Sequence, residues 1–169
     1  MRFSNNVLGL FEHYIDNDNS EENDLSDSDS DNSYSSSNTN TSYKHSKEQI
    51  IQKAFKFHSD SNIKEASKYY QLFINQGFKD HRVFYNYAVI LQNLGKLQES
   101  ELFIRTAIEI KPDFAMAHCN LGSILINHGN LKEAELSIRK SIKLNPNFAN
   151  AYYNLGNILK DRGKPKEAE

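Results

Sequence analysis

The chain has 169 residues, of which 38% are hydrophobic and 25% charged, with a formal net charge of −2. A single cysteine excludes a disulfide framework and a multi-thiolate zinc site, and only 7 glycines and 3 prolines exclude collagen-like and Pro-rich classes. No apolar run approaches the ~18 residues that a membrane-spanning helix needs, so the expectation is a cytoplasmic chain with no membrane partner.

The small net charge is an average over two unlike segments. Residues 1–46 hold nine acids against Arg2 and Lys44, a net of −7, while residues 47–169 hold thirteen acids against eighteen Lys and Arg, a net of +5. An acidic arm thus precedes a mildly basic body.

In the arm, Val7, Leu8, Leu10, Phe11, Tyr14 and Ile15 fall on one helical stripe, a candidate short helix at 5–15. It does not read as a signal peptide: Arg2 is its only positive charge, Gly9 breaks the apolar run and no small-residue cleavage site follows. From Asp16 to Ser46 the only large apolar residues are Leu25, Tyr34 and Tyr43. Such a stretch buries too little surface to offset the entropy of ordering, so 1–46 is expected to be a disordered Ser/Asp/Asn-rich arm. Asp27, Asp29 and Asp31 have the spacing of a calcium loop. However, Asn32 stands where the turn needs Gly and Asn38 where the bidentate Glu belongs, and no metal is expected. The arm reads as a solubility tail; the alternative is a weak fold-back that competes with acidic ligands.

The body repeats every 34 residues. Gly95, Gly129 and Gly163 keep that spacing, as do Pro112 and Pro146, and Asn86, Asn120 and Asn154. Residues 81–114 and 115–148 agree at 14 of 34 positions, and 115–135 agrees with 149–169 at 12 of 21. Within 115–148, Ala117, Leu121, Ile124 and Leu125 mark one helix and Leu131, Ala134, Ile138 and Ile142 a second, with a break at Gly129-Asn130. Asn145-Pro146 ends the second helix, because the residue before a proline is pushed out of the helical region. Gly122 and Ala134 let the two helices approach closely, with Leu121 and Ile138 filling the seam.

Leu121-Gly122, Leu125, Ala134, Ile138, Ser141 and Pro146 resemble the signature of a tetratricopeptide repeat, as do Phe84, Tyr87-Ala88, Leu91, Ser100, Ile104, Ala107 and Pro112 one unit earlier. A third copy begins with Tyr152, Leu155-Gly156 and Leu159. His118 departs from the aromatic usual at its position. Residues 47–80 fit the frame weakly through Ala54, Phe57, Ala66 and Tyr70, with Ser61 in place of the turn glycine and Phe78 in place of proline. The resemblance implies an all-α fold, seven helices over 47–169 stacked as helix–turn–helix pairs in a right-handed α-solenoid. The units are 47–80 (divergent), 81–114, 115–148 and 149–169 (partial), and the abrupt end suggests a fragment of a longer array.

No catalytic constellation is visible. The six histidines are scattered, no glycine-rich phosphate loop exists, and Cys119 reads as a buried residue without a base. Neither enzyme activity in this segment nor a cofactor is expected. Nucleic acid is not expected either, since the basic residues are spread along both helices of each unit.

In tetratricopeptide arrays the first helices line a concave groove, and Asn86, Asn120 and Asn154 share one position there. An amide offers an acceptor and two donors, so it can pair with a peptide backbone in either sense. Asparagine is also a poor helix former, so its recurrence in mid-helix calls for a reason. The arrangement is similar to the asparagine ladder in the repeat arms of O-linked N-acetylglucosamine transferases. With Tyr85, Tyr153, Asn157, Arg82 and Lys160 it implies a groove for an extended peptide or partner protein. The alternative is the substrate-recognition arm of a longer glycosyltransferase or sulfotransferase whose catalytic domain lies beyond residue 169.

Overall fold

The computed structural model describes residues 46–161 and Gly163; the expected short helix at 5–15, the acidic arm and the last residues of the partial unit lie outside the described residues. The described residues form seven helices: α1 (Lys47–Ser59), α2 (Ile63–Asn75), α3 (His81–Asn93), α4 (Leu97–Ile110), α5 (Ala115–Asn127), α6 (Leu131–Leu144) and α7 (Ala149–Asp161). Among them there is no strand. The helices pair as α1–α2, α3–α4 and α5–α6, and each second helix packs on the first helix of the next pair, so the chain builds a helical repeat.

Local chemistry sets the helix ends. Ser46 caps α1 by accepting from the Gln49 N–H at 3.2 Å, while the Gln49 side chain accepts from the Ser46 N–H at 2.9 Å, a reciprocal capping box. Asn62 and Asn130 cap α2 and α6, and Asp80 caps α3. Three first helices end alike, with one residue in the left-handed region: Ser61 (φ 59°), Gly95 (φ 77°) and Gly129 (φ 74°). There the N–H of Gly129 bonds back to Ile126 O at 2.9 Å and that of Asn130 to Leu125 O at 2.9 Å, the paired bonds that close a helix and turn the chain. Glycine reaches that conformation freely; Ser61 reaches it at a steric cost.

The end of α2 differs from the ends of α4 and α6. Where those two stop before Pro112 and Pro146, α2 ends through Gly77 (φ 74°), with Gly77 N bonding Ile74 O at 2.9 Å. Phe78, in the proline's place, turns its ring onto Phe73, centroids 5.4 Å apart.

The core runs as a continuous band through the pairs. Ala54, Ala66, Tyr70, Ala88, Ile104, Ala107, Ala134 and Ile138 are fully buried. Small residues make close helix contact where they were expected to: a Cβ placed on Gly122 would lie 2.4 Å from Ile138 Cδ1. Two buried serines tie α4 to α3 and α6 to α5: Ser100 donates to Ala88 O at 2.7 Å and Ser141 to Ala115 O at 2.8 Å. The seam between the first two pairs is aromatic, with Tyr70, Tyr87 and Phe103 in succession at 6.2 and 5.1 Å. The next seam carries ions instead: Arg105 bridges Glu101 and Glu133 at 2.7 and 2.6 Å, and His128 lies 3.0 Å from Glu101.

Candidate functional site

Asn86, Asn120 and Asn154 stand at the same turn of α3, α5 and α7, all half-buried. Helical spacing fixes what shares their face. One turn earlier come Arg82, Met116 and Asn150; one turn later come Val89, Ser123 and Asn157.

The side chains of the row reach across the units. Asn120 Nδ2 donates to the Tyr85 hydroxyl at 3.3 Å, and Asn154 Nδ2 donates to Cys119 Sγ at 3.7 Å. In both cases the amide meets the residue 35 positions earlier, on the preceding first helix. Asn86 has Ile51 at that distance in sequence, whose side chain offers no acceptor; its amide instead acts on the Tyr70 hydroxyl, opposing the rise in pKa that burial causes there. One N–H of Asn120 and one of Asn154 thus join the fold, which accounts for a poor helix former in mid-helix at those two positions. This use of the amides is not legible in a linear sequence: the repeat period is 34, and the pairing runs at 35.

The aromatic positions divide. Tyr85 packs its ring on Phe114, centroids 4.9 Å apart, and burial raises its hydroxyl pKa, with Cys119 adding to that and the Asn120 donor opposing it. Tyr153 is 71% exposed and carries its ring to the surface. Arg82 is held in place: its Nε and Nη2 donate to Asp80 at 3.0 and 2.7 Å, and its guanidinium lies over the Phe55 ring at 5.4 Å. Burial works to raise the Asp80 carboxyl, but hydrogen bonds and charge from Arg82 outweigh it and leave it below the ordinary carboxylate range. Asn157 and Lys160 are exposed at the far end of α7.

Two neighbours of the row have chemistry worth fixing. Cys119 is 3% exposed, and burial pushes its thiol upward, opposed in part by the Asn154 amide, so the reactive thiolate is disfavoured. His118 departs from the aromatic residue usual at its position for a local reason. Its Nε2 lies 3.0 Å from Pro112 O, a carbonyl that only accepts, so Nε2 carries the proton and pins the loop between units. Among the described residues no group of three His, Cys, Asp or Glu is placed to hold a metal ion, and no helix is long and apolar enough to cross a membrane.

Helix pairs of 34 residues, a glycine or serine in the left-handed turn and a small residue at each helix crossing define a helical-repeat array. The chain belongs to the tetratricopeptide repeat family: three models of that repeat match residues 81–114, 115–148 and 138–169, together just over half of the chain. Among curated proteins no significant match exists. Solved structures share the fold at low identity. MamA superposes with a TM-score of 0.67 at 19% identity, covering 72% of this chain and 71% of its own. YrrB, described as a tetratricopeptide repeat protein with an unusual peptide-binding site, gives 0.65 at 20% identity over 72% of this chain and 63% of its own. The first tetratricopeptide domain of Spaghetti (RPAP3), bound to the HSP90 peptide SRMEEVD, gives 0.63 at 19% identity over 69% of this chain and 93% of its own.

Proposed function

We propose that the array is a protein-interaction module that binds an extended peptide or a partner's extended segment along the asparagine row. The observation that carries this reading is the row itself. Three amides stand at one register across three first helices; Asn120 and Asn154 each commit one N–H to the fold and keep an oxygen and a second N–H by their chemistry. Amides at the repeat spacing suit a chain whose backbone groups also recur at fixed spacing. Tyr85 and Tyr153 flank the row as aromatic surfaces, while Arg82, Asn157 and Lys160 extend it. Two structures of the same fold, YrrB and the RPAP3 domain, carry a peptide-binding site or a bound peptide in their descriptions, which supports the reading. The role this reading assigns is scaffolding in the cytoplasm, and burial disfavours a reactive thiolate at the one thiol beside the row.

The test is peptide binding by full-length chains carrying Asn86→Ala, Asn120→Ala or Asn154→Ala. Loss of one backbone hydrogen bond costs about 0.5–1.5 kcal/mol, so each variant should bind roughly 3- to 10-fold more weakly. Helicity by circular dichroism should stay unchanged. Three variants binding as tightly as the natural chain would remove the row from the site.

A further inference from the structure

The charge on this face bears on what it can take. Of the six residues one turn either side of the asparagines, Met116, Asn150, Val89, Ser123 and Asn157 are uncharged, and only Arg82 is ionic. Arg82 already has a carboxylate: Asp80 holds it through two side-chain bonds and also accepts from its backbone N–H at 2.9 Å. The guanidinium's face is taken up by Phe55. At the far end of the row Lys160 is a solvent-exposed cation, where an ion pair with a ligand would contribute little.

Resting on the reading of this row as a peptide groove, we infer that its ligand is a stretch of polypeptide without net charge, held in a way that is nearly independent of salt. A charged side chain laid against the middle of this face loses hydration and finds no opposite charge to replace it. A neutral polar or aliphatic one loses far less and meets amides and an aromatic ring. The HSP90 peptide on the RPAP3 domain, SRMEEVD, carries three acids against one arginine. A groove lined as this one is would discriminate against it.

The experiment is selection of peptides from a random phage-displayed library on the immobilised full-length chain, followed by affinity measurements on the selected peptides at low and high salt. The expected result is a selected set whose net charge centres on zero, with affinities that change less than about twofold as the screening length shortens. Asn120→Asp then serves as the second chain. It keeps the side-chain shape but places a carboxylate in the row, so it should shift selection toward basic peptides and make their binding fall steeply with salt. Selection of acidic or basic peptides by the natural chain, with binding lost in Asn120→Ala, would overturn the neutral-ligand inference and leave the groove reading standing. Peptides that bind the natural chain and the Asn→Ala variants equally, or no selection above an unrelated helical protein, would overturn both.

Discussion

At the scale of single residues, two buried positions decide how the units hold together. Gly122 sits under Ile138, which is fully buried and has little room to retreat. A Cβ there would meet Ile138 Cγ1 at 2.5 Å and Cδ1 at 2.4 Å, and the Ala134 carbonyl oxygen at 3.3 Å. Gly122→Leu should therefore destabilise the array by about 1–3 kcal/mol through overpacking, despite leucine's better helix propensity. An unchanged denaturation midpoint would contradict the assignment. Tyr70 is the other position. It is fully buried, its hydroxyl lies 2.8 Å from His58 Nδ1, and burial raises its pKa to about 12 against a small opposing effect from Asn86. The unfolded chain ionises this phenol near its ordinary value of about 10. Stability from the protonated Tyr70 is thus complete below about pH 10 and is lost as pH rises from there through about 12. Tyr85 and Tyr87 are also raised by burial and act in the same direction. Tyr70→Phe should be less stable at neutral pH, having lost its hydrogen bonds, yet show a shallower decline between pH 10 and 12. Parallel alkaline unfolding curves for the two chains would refute this account.

At the scale of elements, the turn at Ser61 is, among the described residues, the one place where a residue with a side chain takes the conformation that glycine takes at the ends of α2, α3 and α5. Left-handed backbone costs an L-residue roughly 1–2 kcal/mol, and glycine's extra freedom when unfolded returns roughly 0.5–1 of that. Ser61→Gly should therefore stabilise by about 0.5–1 kcal/mol, read as a thermal midpoint a few degrees higher. A lower midpoint would mean the serine side chain contributes something its geometry does not show. The reason this turn could be located from sequence is the same reason most of the fold could. Gly95, Gly129 and Gly163 repeat with the helices, so a residue at the corresponding position of a divergent unit inherits the turn. The seven helices, the close crossing at Gly122 and the burial of Cys119 all followed from spacing and residue size. The exit from α2 through Gly77 did not, because the frame directs attention to the missing proline rather than to the glycine one residue before it. The candidate site was legible only as a register. That Asn120 reaches Tyr85, that Asn154 reaches Cys119, and that Arg82 lies over Phe55 depend on how successive first helices lie side by side, which no spacing rule encodes.

At the scale of the whole array, the first pair presents a polar outer face. Three positions on α3, Val83, Tyr87 and Ile90, are buried, and Gln71 of α2 donates to the Tyr87 hydroxyl at 2.7 Å. The corresponding positions of α5 are Ala117, Leu121 and Ile124, also buried. On α1 the same three are Gln49, Lys53 and Lys56, all exposed. Lys53 turns from that face onto Tyr69 of α2, the other helix of its own pair, and among the described residues no earlier pair covers it, whereas α2 lies against α3 and α4 against α5. Polar residues there match a general need of repeat proteins, whose terminal units must present a face that water tolerates. Removing residues 1–80 would strip α2 from α3 and leave Val83, Tyr87 and Ile90 facing solvent. Burying a valine or isoleucine contributes about 1.5–3 kcal/mol each, so the exposed seam has ample driving force for self-association. The chain 81–169 should form concentration-dependent oligomers or precipitate where the full chain does not. Copying the α1 pattern onto it, with Val83→Gln and Ile90→Lys, should restore a soluble species with the helicity of the remaining units. Sedimentation velocity over a range of concentrations separates the outcomes. If 81–169 sediments as the full chain does, without concentration dependence, the polar face of α1 is an ordinary solvated surface and the first pair is not a cap.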